Sequence, residues 1–254
     1  MKIKYLTLFE NYYNEFKNTS IIKNAISKGL VDIEVIDLKG EVTDGRVDGK
    51  IVGGGSGNLI RYDVVSDALN KYKSKKSKVI LVTPKGKLFN QDLAIKLSKE
   101  EELIFVCPHF EGIDERIMDE VDYAISIGDY ILTGGELASQ VISDSIIRLI
   151  DGVINKSSLD TETFDNNLLE YPQYTFTRVY EGEEAPAILF TGNHEAIRKW
   201  RLKESLKITK TNRSDLLENR NFTKEELKLL KEIEEDEKNP KWMTDALEKA
   251  KKFM

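Results

Sequence analysis

Ser126-Ile127-Gly128-Asp129-Tyr130-Ile131-Leu132-Thr133-Gly134-Gly135-Glu136 sets a short apolar run between glycines, directly before a helical pattern over residues 138–150. Glycine lets the backbone take positive φ and brings bare N–H and C=O groups close to a ligand. Read one way, loop, strand, Gly-Gly and helix form a cradle that holds a small molecule by its backbone. Read the other way, two β-turns flank a buried strand. The rest of the chain decides between them.

Outward from this stretch, strands alternate with helices. Strand patterns fall at residues 1–10, 31–38, 78–83, 103–107 and 123–126, and helical spacing at 11–29, 62–75, 91–99 and 113–120. Residues 39–50 are polar and punctuated by glycine, the pattern of a mobile loop. This alternation indicates an α/β domain with a mainly parallel sheet. Three turns follow three successive strands: Thr83-Pro84-Lys85-Gly86, Pro108-His109-Phe110-Glu111-Gly112, and residues 126–135. Ligands of open α/β sheets lie outside the carboxyl ends of the strands, so the three turns are expected to share one pocket.

Periodicity fails from residue 151 to 177. Beyond it, helical patterns cover 193–205, 213–218, 223–235 and 242–253, with Thr223 and Glu226 spaced as a capping box. The expected organisation is an α/β domain over residues 1–154, an interdomain linker over 155–170 and a small helical domain over 171–254. The 254 residues, 40% of them hydrophobic, suffice for such cores, and no apolar run approaches the roughly 18 residues of a membrane span. The opening Met1-Lys2-Ile3-Lys4 leads straight into a strand, without a signal-peptide pattern. A single cysteine, Cys107, precludes an internal disulfide and suits a cytoplasmic protein. The net charge of −6 argues against a generic nucleic-acid binder, although local patches outweigh the total.

Four other features bear on chemistry. Gly53-Gly54-Gly55-Ser56-Gly57 lacks the Lys-Ser/Thr of a P-loop and the G-x-G-x-x-G spacing of a dinucleotide site, so it reads as a flexible loop near a substrate. His109 and His194, with one cysteine and no H-x-x-x-H spacing, argue for no metal site; a surface or hydrogen-bonding role is the default for each. Arg198-Lys199-Trp200-Arg201-Leu202-Lys203 is the densest basic segment. It is either a phosphate-backbone grip or a solvated amphipathic helix with Trp200 and Leu202 packed inward. Asp160, Glu162, Asp165 and Glu170 line the linker. Solubility accounts for them unless the linker folds over a substrate, where one serves as a general base.

Taken together, residues 110–116, 126–136, 168–174, Gly192-Asn193-His194 and Arg198-Lys199-Trp200-Arg201 resemble the bacterial tRNA (guanine-N1)-methyltransferase family, TrmD, in order and over nearly the whole chain. The resemblance implies a SPOUT-type, trefoil-knotted α/β domain, a flexible linker and an all-α C-terminal tRNA-binding domain. It further implies a cytoplasmic homodimer whose active sites lie at the subunit interface, and methyl transfer from S-adenosyl-L-methionine to N1 of guanosine 37 in tRNA. Carried over residue by residue, the cofactor is expected against Leu81, Val82 and Pro84, and against Pro108, Phe110, Glu111 and Gly112. The remaining cofactor contacts come from Ser126, Ile127, Gly128, Asp129, Tyr130, Ile131, Leu132, Gly134 and Gly135. Arg148 falls at the family's catalytic arginine and Glu162 at its catalytic base, with Asp160 and Asp165 as alternates. Gly55, Ser56, Gly57, Glu170, Asn193, His194, Arg198, Lys199 and Arg201 are the expected tRNA contacts. Two departures stand out: Pro108, where the family has glycine and where a backbone N–H is lost, and Glu162, where it has aspartate. They keep open an alternative, a SPOUT-fold paralogue that binds RNA without efficient methyl transfer.

Overall fold

The structure, a computed structural model, describes residues 1–43, 45–155, 164, 167–175, 177–218 and 220–251. The chain divides into two compact units, residues 1–156 and 157–254.

In the first unit, β1 (Lys2–Thr7), β2 (Asp32–Asp37), β5 (Ser77–Leu88), β6 (Glu102–Val106) and β7 (Tyr123–Ser126) form one sheet of order β2-β1-β6-β5-β7, and every pairing is parallel. Side chains alternate between its faces, as strand geometry requires. Ile80, Val82, Leu103 and Phe105 enter one core cluster, with α1 (Tyr13–Asn18), α2 (Ser20–Ser27), α4 (Gln91–Leu97) and α5 (Glu136–Ile147) packed over it. Val79, Leu81, Ile104 and Val106 enter the other cluster, under α3 (Tyr62–Tyr72). Burial on both faces explains why these strands read as apolar runs in the sequence.

Four local expectations are corrected. The helix expected over residues 11–29 is two helices, broken at Thr19 and at Ser20, which takes φ +48°. Residues 39–50, expected to be loop, include a 3-10 turn (Leu38–Glu41) and β3 (Asp48–Lys50), which pairs antiparallel with β4 (Asn58–Ile60) around the glycine loop. β3 is too short and polar to be seen without the partner that supplies its hydrogen bonds. β5 does not stop at Thr83: Val82 and Lys87 both face Ile125, so residues 83–86 bulge out before the strand resumes. Finally, residues 130–132 form no strand. The sheet ends at Ser126, no strand among the described residues pairs with the run, and Tyr130, Ile131 and Leu132 are exposed.

In the second unit, α6 (His194–Asn212), α7 (Lys224–Glu234) and α8 (Lys241–Lys251) pack through two small apolar clusters, one around Trp200 and one around Leu206 and Leu229. A two-residue ribbon, β8 (Val179–Tyr180) with β9 (Glu183–Glu184), accompanies them. The capping box at α7 forms as read, with Thr223 and Glu226 bonding each other's backbone N–H. Among the described residues, no helix is long and apolar enough to cross a membrane.

Candidate active site

At the carboxyl ends of β5, β6 and β7, three loops enclose a cavity of about 320 Å³, within the range of small-molecule sites. Val82, Thr83 and Pro84 supply one wall, Pro108, His109, Phe110, Glu111 and Gly112 a second, and residues 125–128 and 130–135 a third, with Ala138 behind them. The walls are tied by backbone: the Gly135 N–H donates to the Pro108 carbonyl at 2.8 Å, and His109 bridges Gly134. Gly135 is there because nothing larger fits. A Cβ on it would lie 2.8 Å from Cys107 Cα and 2.9 Å from Pro108 Cδ. Phe110 takes φ +57°, a left-handed conformation that costs a non-glycine residue about 1 kcal/mol. The turn that holds it closes through a 3.0 Å hydrogen bond from the Gly112 N–H to the His109 carbonyl.

A buried polar network anchors α5 beneath the pocket. The Thr7 hydroxyl donates to Glu136 Oε1 at 2.8 Å, the Tyr5 hydroxyl donates to Ser143 Oγ at 2.6 Å, and Tyr13 Oη lies 2.8 Å from Ser139 Oγ. Tyr13 Oη also contacts Cys107 Sγ at 3.2 Å. Burial pushes the Cys107 thiol up to about 12, so it stays protonated and is no nucleophile at neutral pH. His109 Nδ1 is buried without a hydrogen-bond partner, 4.0 Å from Glu136 Oε2.

Of the expected cofactor residues, all but Leu81 and Asp129 line this cavity. Leu81 faces the opposite core because strand alternation turns it away from Val82. Thr83, His109, Ile125, Thr133 and Ala138 join the lining. His109 is thus a pocket residue, a placement its position between Pro108 and Phe110 already hinted at. Nothing in the sequence marked Thr7, Tyr13, Ser139 or the buried Glu136 as its supports.

The glycine hairpin docks on the rim. The Glu111 N–H donates to the Asn58 carbonyl at 3.1 Å and the Ile60 N–H to the Gly112 carbonyl at 3.0 Å, while the Glu111 side chain packs where a Cβ on Gly57 would stand. Gly55 and Ser56 lie in the exposed turn of this hairpin, and of these expected contacts Gly57 is brought beside the pocket. Arg148 is not. It caps the far end of α5, and 12 helical residues put it about 18 Å from the pocket end. Glu162, Asp160 and Asp165 lie outside the described residues.

In the second unit, Glu170 accepts from the Gln173 amide, His194 is exposed, and Asn193 caps α6 by accepting from the Ala196 N–H at 3.2 Å. The basic run largely spends its charge inside the unit. Arg198 pairs with Glu225 at 2.8 Å and Lys203 with Glu232 at 3.2 Å. Lys199 lies 4.5 Å over the Trp242 ring, where burial holds it below the usual lysine range. Trp200 and Leu202 pack inward, as the amphipathic-helix reading has it. Arg201 instead covers the Tyr171 ring at 4.8 Å.

A parallel α/β sheet with a loop-walled pocket at its carboxyl edge defines a small-molecule-binding α/β protein with a second, helix-rich unit. The family model described as tRNA (Guanine-1)-methyltransferase TrmD matches residues 1–219, and the chain belongs to that family. Proteins named tRNA (guanine-N(1)-)-methyltransferase are similar to it. That of Malacoplasma penetrans (strain HF-2) is 51% identical over 218 residues, covering 85% of this chain and 96% of the relative. That of Clostridium botulinum (strain 657 / Type Ba4) is 47% identical over 237 residues, covering 92% and 98%. That of Acholeplasma laidlawii (strain PG-8A) is 46% identical over 239 residues, covering 93% and 98%.

Proposed function

We propose that this protein methylates N1 of guanosine 37 in tRNA with S-adenosyl-L-methionine as donor. The carrying observation is the cavity at the carboxyl ends of β5, β6 and β7, walled by the loops that bear the family's motifs. Its residues fit the donor. Gly134 and Gly135 let the 130–135 loop lie against the Pro108 wall, where a Cβ would strike Cys107, Pro108 or His109, and Val82, Ile125 and Ala138 offer an apolar floor. The Pro108 carbonyl is already used by Gly135, so the missing N–H at Pro108 leaves this wall intact.

When bound, the donor supplies an electrophilic methyl carbon. The chain's own groups do the rest. N1 of guanine carries a proton and is a poor nucleophile until a base removes it. Glu162, or else Asp160 or Asp165, is the proposed base, brought by the linker. Arg148 is proposed to hold the charge that develops on O6. Its distance from the pocket of its own chain supports an active site shared by two copies, in which Arg148 of one serves the pocket of the other. Leu137 and Val141, four residues apart on α5 and 48% and 50% exposed, with Ile131 at 80%, offer an apolar face for such a homodimer. We also propose that the crossing near Gly86 belongs to a trefoil knot. A Cβ there would lie 2.5 Å from the Ile125 backbone, so the two segments touch main chain to main chain. The second unit is proposed to bind tRNA, and the protein to work in the cytoplasm.

The test is nucleoside mass spectrometry of unmodified tRNA bearing G at positions 36 and 37, treated with protein and donor. The expected product is 1-methylguanosine at position 37, reduced by orders of magnitude in Glu162→Ala. No product from wild type would overturn the function, and full activity in the variant would remove Glu162 as the base.

A further inference from the structure

The second unit holds a cavity of about 230 Å³ of its own, between the extended segment 171–175 and the 3-10 turn that runs into α6. Its aromatic lining is Tyr171, Tyr174 and Phe190, with Leu189 and Ile197 beneath and Arg201 at the wall. The Arg201 guanidinium lies 4.8 Å over the Tyr171 ring, and that of Arg178 lies 5.3 Å over the Phe190 ring.

These two arginines differ from five others in the chain. Arg61, Arg116, Arg198, Arg213 and Arg220 all pair with carboxylates, on a chain with net charge −6. Arg178 and Arg201 have no carboxylate partner among the described residues and rest on aromatic faces instead. Of the neighbouring cations of α6, Arg198 and Lys203 are neutralised from α7 by Glu225 and Glu232, and Lys199 lies over the Trp242 ring. The positive charge left at this place is therefore planar, stacked and exposed, beside three aromatic rings. Among the described residues, the backbone N–H groups of residues 171 and 173–175 make no internal hydrogen bond, which leaves donors along the cavity edge.

Stacked guanidinium, aromatic faces and free backbone donors are the chemistry that holds an unstacked nucleobase: the π-face is sandwiched and the edge is hydrogen-bonded. A phosphate grip needs cations along the backbone and no aromatic surface beside them. We propose that this cavity binds one unstacked base of the RNA substrate, distinct from the base that is methylated. The proposal rests on the tRNA reading above and turns Arg201 from a backbone contact into a base-stacking one.

The test uses the full-length protein and an unmodified tRNA with G at positions 36 and 37. Tyr171→Leu and Arg201→Lys are each expected to weaken tRNA binding about ten-fold, the size of one lost base–aromatic stack, with the salt dependence unchanged because no charge is lost. Tyr171→Phe, which keeps the ring, is expected to bind as wild type. Affinity for S-adenosylmethionine should stay at the wild-type value in all three. Arg201→Lys lies on an exposed surface, so its result stands if Tyr171→Leu fails to fold. Wild-type binding by Arg201→Lys, together with a salt slope lowered by about 1 in Arg201→Ala, would show a phosphate contact and overturn the proposal. Wild-type binding by a folded Tyr171→Leu would overturn it too. If the wild type forms no 1-methylguanosine, the function reading fails; if it does and the variants bind normally, only the base pocket fails.

Discussion

Gly135 joins two walls of the pocket because it has no side chain. Its N–H reaches the Pro108 carbonyl at 2.8 Å only because its α-carbon can sit against Cys107. Gly135→Ala would force a methyl into Cys107 Cα and the Pro108 ring, neither of which can rotate away. The expected cost is about 1–3 kcal/mol of stability, as for other overpacked sites. We also expect at least about a ten-fold loss of S-adenosylmethionine affinity, since the wall moves with the strain. Urea unfolding and calorimetric titration check the two effects, and an unchanged affinity would show that the wall does not set the pocket. The sequence made this glycine legible as a turn. It did not reveal Glu136 beside it, since a glutamate that opens a helix reads as an exposed first-turn acid; only the Thr7 hydroxyl and the sheet beneath it show that it is buried.

The strands of the first unit are stitched at their amino ends by one buried ion pair. Lys4 on β1 reaches Glu102 on β6 at 3.1 Å, and Ser77 on β5 donates to the same carboxylate. Burial acts to raise Glu102, but hydrogen bonds from Ser77, Lys4 and Ser74 outweigh it and hold the carboxyl below its usual range. A depressed carboxyl stabilises the fold above its unfolded value near 4.3 and loses that contribution as pH falls through its folded value. Glu102→Gln should therefore cost about 3 kcal/mol at pH 7, where it leaves Lys4 buried without its charge partner. The difference from wild type should shrink in acid, as pH falls through the folded value and wild type protonates the same group. Urea unfolding at pH 7 and along an acid series checks this, and an equal difference throughout would rule the pair out as the cause. The same exchange of partners explains the basic run on α6. Its charges were legible, but their pairing with α7 was not, because Arg198 and Glu225 are 27 residues apart and meet only when the helices pack.

At the scale of the whole molecule, the exposed apolar face of α5 and the distance of Arg148 from the pocket of its own chain are the grounds for the homodimer proposed above. Leu137→Asp with Val141→Asp should give a monomer in analytical ultracentrifugation and abolish methyl transfer while each protomer stays folded by circular dichroism. A dimer with full activity would place the interface elsewhere. Much of this protein was determined by its sequence alone. The alternation of apolar runs with helical spacing encodes a parallel α/β sheet, because strands buried on both faces must be apolar throughout. The glycine-bearing turns at residues 83–86, 108–112 and 126–135 encode where the pocket lies, because sheet connectivity brings successive carboxyl ends together. Tertiary structure alone decided the rest. Residues 130–132 have the composition of a strand and are none, because among the described residues no strand pairs with them at that edge. Residues 48–50 have the composition of a loop and are a strand, because residues 58–60 do offer them. Leu81 and Val82 look alike in the sequence, and one residue of strand register sends the first to the core cluster under α3 and the second to the opposite cluster, where it also lines the pocket. Such outcomes depend on partners distant in the chain, whose positions local propensity does not encode.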